Sequence, residues 1–148
     1  MKHSQSFQVN APMDTVWRIL AGIEHYPTWA PTFDRVEFPA GKDLAKGLRV
    51  RLWVKGAPPS KFVVTEYTEG SRFAWETTAR GVHALADHRI EPSDGGTRLT
   101  LSVEASGFMA TLFAPMIKRV TLRNLELEGN GLKAHAEALV PVQARLGV

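Results

Sequence analysis

The sequence contains no cysteine. That removes disulfide bonds, a thiol nucleophile and thiolate metal ligands together, and leaves the redox compartment open. No apolar run approaches the roughly 20 residues that cross a bilayer. The first residues, Met1-Lys2-His3-Ser4-Gln5-Ser6, lack the apolar core of a signal peptide. A cytoplasmic protein with no integral membrane segment is therefore expected. Blocks of like charge are missing too. The 18 lysines and arginines are interspersed with 15 acidic residues, for a formal charge of +3, so no nucleic-acid partner is expected. His3, His25, His83, His88 and His135 show neither HExxH nor any close ligand spacing, so no metal is expected. There is no GxSxG elbow and no glycine-rich phosphate loop ahead of a helix. No cofactor is implied. Linkers, repeats and low-complexity segments are absent, and 148 residues suffice for one domain with a sizeable core. A single domain over residues 1–148 is expected.

What the sequence does have is one long amphipathic stretch, residues 108–142. Leu125, Leu132 and Leu139 recur every seven residues, with Ile117 and Ala136 on the same side. At roughly 100° per residue, Arg119, Arg123, Glu126, Asn130, Lys133 and Glu137 fall opposite. Pro115 suits a first helical position, which makes residues 108–114 a separate short piece. From Pro115 to Val140 the helix would be on the order of 39 Å long. Gly129-Asn130-Gly131 is a turn signal, and each glycine weakens a helix by about 1 kcal/mol. The leucine stripe nevertheless stays in phase across it, which a two-residue turn would destroy. One continuous helix is expected, with room for a bend there.

Ahead of that helix the apolar period is two. Phe7 and Val9 alternate with polar neighbours, and Asn10-Ala11-Pro12 then opens a short helix carrying Val16, Trp17 and Leu20. Gly22 ends it. The segment from His25 to Pro31, with prolines at 27 and 31, allows only a turn or a very short second helix. Strand patterns follow from Phe33 onward, at residues 48–54, 61–68, 72–79, 82–91 and 97–105. Ser93-Asp94-Gly95-Gly96 is a strong hairpin signal. The short connections make the sheet mostly antiparallel. The class is α+β: a curled sheet of about seven strands wrapped around a long C-terminal helix, with two short helices after the first strand. One helix is narrower than such a sheet, so the space between them need not fill.

Several side chains are placed to line that space. Phe73, Trp75 and Thr77 share one strand face, and Trp29, Phe62 and Phe108 are further ring candidates. Ordinary core is the competing reading for each. Trp53 shares parity with Arg49, Arg51 and Lys55, which puts it on the outer face. His88 shares parity with the small Ala84 and Ala86 and with Ile90, so it faces inward; a histidine simply hydrogen-bonded in the core is the alternative. Asp87 and Arg89 then point outward, where an ion pair is worth little. On the last helix Thr121, Asn124, Glu128 and His135 lie within roughly 80° of the Leu132 direction. Asn124 and His135 are at the border, within reach of water. Glu128 is near the centre, and a buried carboxylate is costly unless paired or hydrogen-bonded. It therefore meets a partner, lines a wet cavity, or sits beyond the sheet edge. Glu128 with His88 is the one acid/base pair that parity and periodicity set face to face.

The order of elements, with Val9-Asn10-Ala11-Pro12 before Val16-Trp17, then Tyr26-Pro27-Thr28-Trp29, Trp75, His88-Arg89-Ile90, Gly96-Thr97-Arg98-Leu99-Thr100, Ser106-Gly107 and Gly131-Leu132-Lys133-Ala134 before Glu137, resembles the START-like, or Bet v 1-like (SRPBCC), superfamily. Within it, the chain is similar to polyketide cyclase/dehydrase and lipid-transport-like proteins over nearly its whole length. The resemblance implies a helix-grip fold with a cavity between sheet and last helix, open near the short helices. It does not choose a function, because the fold hosts carriers, cyclases and chaperone activators. The first reading is binding of a small hydrophobic or amphipathic ligand by a monomer or homodimer, through Trp29, Phe62, Phe73, Trp75, His88, Phe108, Asn124 and Glu128. The second is an aromatase/cyclase-dehydratase-type enzyme on a polyketide-like substrate, with Glu128 and His88 as catalytic candidates. The third is a chaperone-activator-like protein-interaction module, which would show an apolar patch on the sheet's outer face.

Overall fold

Short turns set the topology. Asp94 (φ 49°) and Gly95 (φ 78°) occupy left-handed backbone between the paired residues Ser93 and Gly96. Arg80 (φ 53°) and Gly81 (φ 75°) do the same between Ala79 and Val82. Two successive positive φ values make the type I′ turn that matches strand twist, so each turn reverses the chain onto its neighbour. In the computed structural model, which describes residues 1–140, the strands are β1 (Lys2–Val9), β2 (Phe33–Glu37), β3 (Arg49–Val54), β4 (Ser60–Thr68), β5 (Arg72–Ala79), β6 (Val82–Ser93) and β7 (Gly96–Ser106). They form one antiparallel sheet in the order β1-β7-β6-β5-β4-β3-β2. Register shifts near Phe33 and Val64 are the kind of irregularity that bends a strand and increases twist. The sheet curls as its width requires.

Helix α1 (Met13–Ala21) ends on Gly22, and a 3-10 turn leads into α2 (Tyr26–Trp29). The short α3 (Phe108–Leu112) precedes α4 (Ala114–Leu139), which has Pro115 in its first turn and lies in the grip of the sheet. Pro141 and Val142, the last residues of the expected helical stretch, lie outside the described residues. Helix α4 runs unbroken through Gly129-Asn130-Gly131. Close approach explains the glycines. A Cβ on Gly129 would fall within 2.1–2.5 Å of the Phe7 ring, and one on Gly131 within 2.3 Å of the Trp29 carbonyl oxygen. Here glycine admits β1 and α2 to the helix surface.

Leu125, Leu132 and Ala136 are buried as the stripe predicts. Full burial of a leucine such as Leu132 contributes about 1.5–3 kcal/mol. Leu139 departs from the expectation and is 57% exposed. The chain leaves the helix at Val140, whose backbone turns extended and whose side chain is buried in its place. Lys133 and Glu137 are not purely solvent-facing either. The Lys133 ammonium donates to the Gln8 carbonyl (2.5 Å) and to Glu137 (2.7 Å), and Glu137 accepts the Asn10 amide (2.9 Å). This latch ties α4 to the end of β1. His135 is exposed.

Candidate functional site

Alternation along the strands builds the floor of a cavity under α4. Trp75 and Thr77 of β5, Ala84, Ala86 and His88 of β6, and Val103 and Ala105 of β7 all face it. Alanines there leave space that larger residues would fill. Phe62 closes one side; Ile117, Thr121, Asn124, Leu125 and Glu128 of α4 form the roof. The cavity volume is about 450 Å³.

The inner end is polar and tightly assembled. The His88 ring stacks on Phe73 at 4.2 Å and 11°, with Trp75 edge-on to both. His88 Nδ1 lies 3.2 Å from the Phe73 carbonyl oxygen. A carbonyl only accepts, so Nδ1 carries the proton. The other nitrogen, Nε2, is 3.5 Å from Glu128 Oε1. Both residues are buried, His88 at 3% exposure and Glu128 at 6%. Glu128 Oε1 has no hydrogen-bond partner among the described residues. Tyr26 lies close by, fully buried, its hydroxyl donating to the Leu20 carbonyl. Burial pushes the Tyr26 phenol well above its ordinary range, and the negative charge of Glu128 pushes it the same way. Asn124 donates through Nδ2 to the Lys55 carbonyl (3.1 Å), and the Thr32 hydroxyl donates to the Asn124 carbonyl (3.2 Å).

On the outer face, directly behind His88, Asp87 accepts from Arg72 (3.0 Å) and from Arg89 (2.8 Å). The expectation of a weakly worthwhile outward pair understated its shielding, for the Asp87 side chain is only 14% exposed. Burial alone would raise the Asp87 carboxyl, but hydrogen bonds from Arg72 and Arg89 outweigh it and hold the group below its usual range.

Of the residues singled out from the sequence, Phe62, Trp75, His88, Asn124 and Glu128 line the cavity. Three do not. Trp29 packs against Tyr26 at 4.9 Å in the core beneath α2. Phe73 has the right parity but lies beyond the cavity's end, covered by the His88 ring. Phe108 is 76% exposed, while Met109 of α3 and Phe113, between α3 and α4, line the cavity instead. Trp53 is off the cavity, with the Arg35 guanidinium 4.9 Å above its ring. The opening also differs from the expectation. The end under α1 and α2 is filled by Tyr26, Trp29 and Phe33. The exposed lining residues, Gly56, Ala57, Pro58, Arg80, Phe113 and Met116, gather at the opposite end, around α3 and the start of α4. The sequence carried one signal for this: Met109, Phe113 and Met116 recur at spacings of four and three, although the chain breaks at Phe113 between α3 and α4. Tyr26, in the Tyr26-Pro27-Thr28-Trp29 motif, packs edge-on to Trp75 beside the site, a placement that no periodicity marks. Among the described residues no group of three or more His, Asp or Glu side chains is arranged to hold a metal ion, and no helix is long and apolar enough to cross a membrane.

A curled antiparallel sheet around a long helix, with a cavity between them, defines the helix-grip fold. The family model described as "Polyketide cyclase / dehydrase and lipid transport" matches residues 1–137, and the chain belongs to that family. Among solved structures, it is similar to the Zhui aromatase/cyclase from Streptomyces sp. R1128, with a TM-score of 0.79 at 22% identity over 96% of each chain. A START superfamily protein from Mycobacterium smegmatis gives 0.77 at 19% identity, over 94% of this chain and 99% of the other. The protein Ara h 8.0201 gives 0.70 at 14% identity, over 93% and 98%. At these identities the likeness establishes the fold alone. No curated protein gives a significant sequence match.

Proposed function

We propose that the chain acts as one domain that binds an apolar or amphipathic small molecule, lipid-like or polyketide-like, between the sheet and α4. The observation that carries this is the cavity. Its volume of about 450 Å³ is in the range of sites that hold small organic ligands. Its walls are mostly aliphatic and aromatic, and a few polar groups converge at one end, the usual division between affinity and orientation. Native mass spectrometry of gently purified protein should show a co-purified small molecule. The neutral dye N-phenyl-1-naphthylamine should brighten on binding. A bare protein that also leaves the dye dark would sink the reading.

A second reading has its own observation, the approach of His88 and Glu128. In a cyclase-dehydratase step this pair would take a proton from the carbon beside a ketone. The freed electron pair would form a carbon–carbon double bond as the β-hydroxyl leaves, and the pair would return its proton to that hydroxyl, releasing water. Glu128→Gln keeps the shape of the site. It should lower turnover of a polyketide-type substrate by roughly 10²-fold or more, with dye affinity within a few-fold. The protein-interaction reading gains nothing comparable. On the sheet's outer face Val63 of β4 is the large exposed apolar side chain among the described residues, whereas Phe108, Leu112, Phe113 and Met116 cluster on α3 and the start of α4.

A further inference from the structure

Building on the binding reading, we propose that the inner end of the cavity selects a ligand end that donates a hydrogen bond, a hydroxyl or N–H, and turns a carboxylate away. Four donors around this end already serve backbone carbonyls. His88 Nδ1–H donates to Phe73, the Tyr26 hydroxyl to Leu20, Asn124 Nδ2 to Lys55, and the Thr32 hydroxyl to Asn124. Of the groups gathered around His88, the one buried without a hydrogen-bond partner among the described residues is an acceptor, Glu128 Oε1, more than nine-tenths buried.

The polarity of this end does not depend on where the proton of the pair sits. If Nε2 of His88 is protonated, that proton points at Glu128, and the carboxylate still has lone pairs to offer. If the proton is on Glu128, it is donated to Nε2, and the carbonyl oxygen of the acid accepts. If neither holds it, both groups accept. A buried acceptor is costly to leave unmet, so a ligand that brings a donor gains more than the hydrogen bond alone. A ligand carboxylate brings only acceptors and a charge. Among the described residues, Arg80 is the one lysine or arginine that lines the cavity. It sits in the β5–β6 turn at the open end, whereas Met116 at that end and Glu128 at the other are separated by a helical rise of about 18 Å. An acid group is therefore left outside beside Arg80 while a donor reaches Glu128.

The test is displacement of N-phenyl-1-naphthylamine by a ten-carbon series: 1-decanol, its methyl ether, decanoate and 10-hydroxydecanoate. The alcohol should displace dye at about ten-fold lower concentration than the ether, and the hydroxy acid at about ten-fold lower than the plain acid. Glu128→Met keeps the volume and removes the acceptor. It should bring each pair within about two-fold. Equal potency of alcohol and ether in the unaltered protein overturns this inference and leaves the binding reading standing. A preference that survives in Glu128→Met overturns the assignment to Glu128. If neither dye nor any chain binds, the binding reading itself fails. Should Glu128→Met not fold, the alcohol–ether comparison in the unaltered protein decides alone.

Discussion

Gly131→Ala should destabilise this protein, although the same change on a free helix surface is favourable. Replacing glycine by alanine inside a helix ordinarily gains about 1 kcal/mol. Here the new methyl would sit 2.3 Å from the Trp29 carbonyl oxygen and 3.5 Å from the Ala30 Cα. The obstacle is backbone, and it is pinned: the Ala30 amide bonds the Tyr26 carbonyl at 2.8 Å, and the Trp29 ring packs on Tyr26. Overpacking of this kind costs roughly 1–3 kcal/mol, and a backbone obstacle belongs at the upper end. Net of the helix gain, a loss of about 2 kcal/mol follows. With a urea slope of about 2 kcal/mol/M, the midpoint should fall by about 1 M. Asn130→Ala is the control: Asn130 is exposed, and the change should stabilise by about 0.5 kcal/mol. Gly129→Ala meets the Phe7 ring rather than backbone, so trimming Phe7 to leucine should relieve it, with a favourable coupling in the double mutant. A Gly131→Ala protein whose midpoint rises like that of Asn130→Ala would refute the reasoning.

Three other outcomes are expected. Leu132→Ala should cost about 2–5 kcal/mol in chemical denaturation, while Leu139→Ala, at an exposed site, should stay within about 0.5 kcal/mol. Trp75→Phe should weaken binding of the neutral dye and Trp53→Phe should leave it intact, since only the first ring lines the cavity; the reverse would place the ligand outside the sheet. Asp87, held below its ordinary range by Arg72 and Arg89, contributes stability that is present above the unfolded carboxyl value and is lost as pH falls through the lower folded one. Asp87→Asn should therefore destabilise at neutral pH, and its urea midpoint should converge with that of the unaltered protein as the medium is acidified below about pH 4; a gap constant with pH would mean the charge contributes nothing.

The parts of this molecule that were legible in the sequence obey a fixed period. Alternation by two set Trp75, Ala84, Ala86 and His88 on one face, and 100° per residue put Glu128 beside Leu125 and Leu132. Together they brought His88 and Glu128 to 3.5 Å from residues 40 positions apart. Period says nothing about where along a face a cavity stops. Phe73 and Trp75 share a side and stand about 7 Å apart along the strand, yet only Trp75 lines the cavity. Nor does period phase a helix of five residues. Helix α3 follows Gly107 at φ 107°, and that backbone angle, set by tertiary approach to Gly81, turns Phe108 out and Met109 in. The glycines of α4 looked like a turn for the same reason: their purpose is contact with Phe7 and Trp29, which no local pattern records.

The order of synthesis decides when β1 can pair with β7. Phe7 hydrogen-bonds its way along a strand that includes Leu99, so about 90 residues must be made before β1 has its neighbour. At roughly 5–20 residues per second, a ribosome takes on the order of 5–20 s to supply them. During that interval the first strand made waits for one of the last, and the central hairpins have only each other. Closing so large a loop is slow by the standards of helical domains. The nascent chain must also wait for α4, about 30 residues further on, before the concave face has its cover. Until then the aromatic floor around Trp75 is open to water, and that is when a chaperone, or a ligand already present, would have the most to hold.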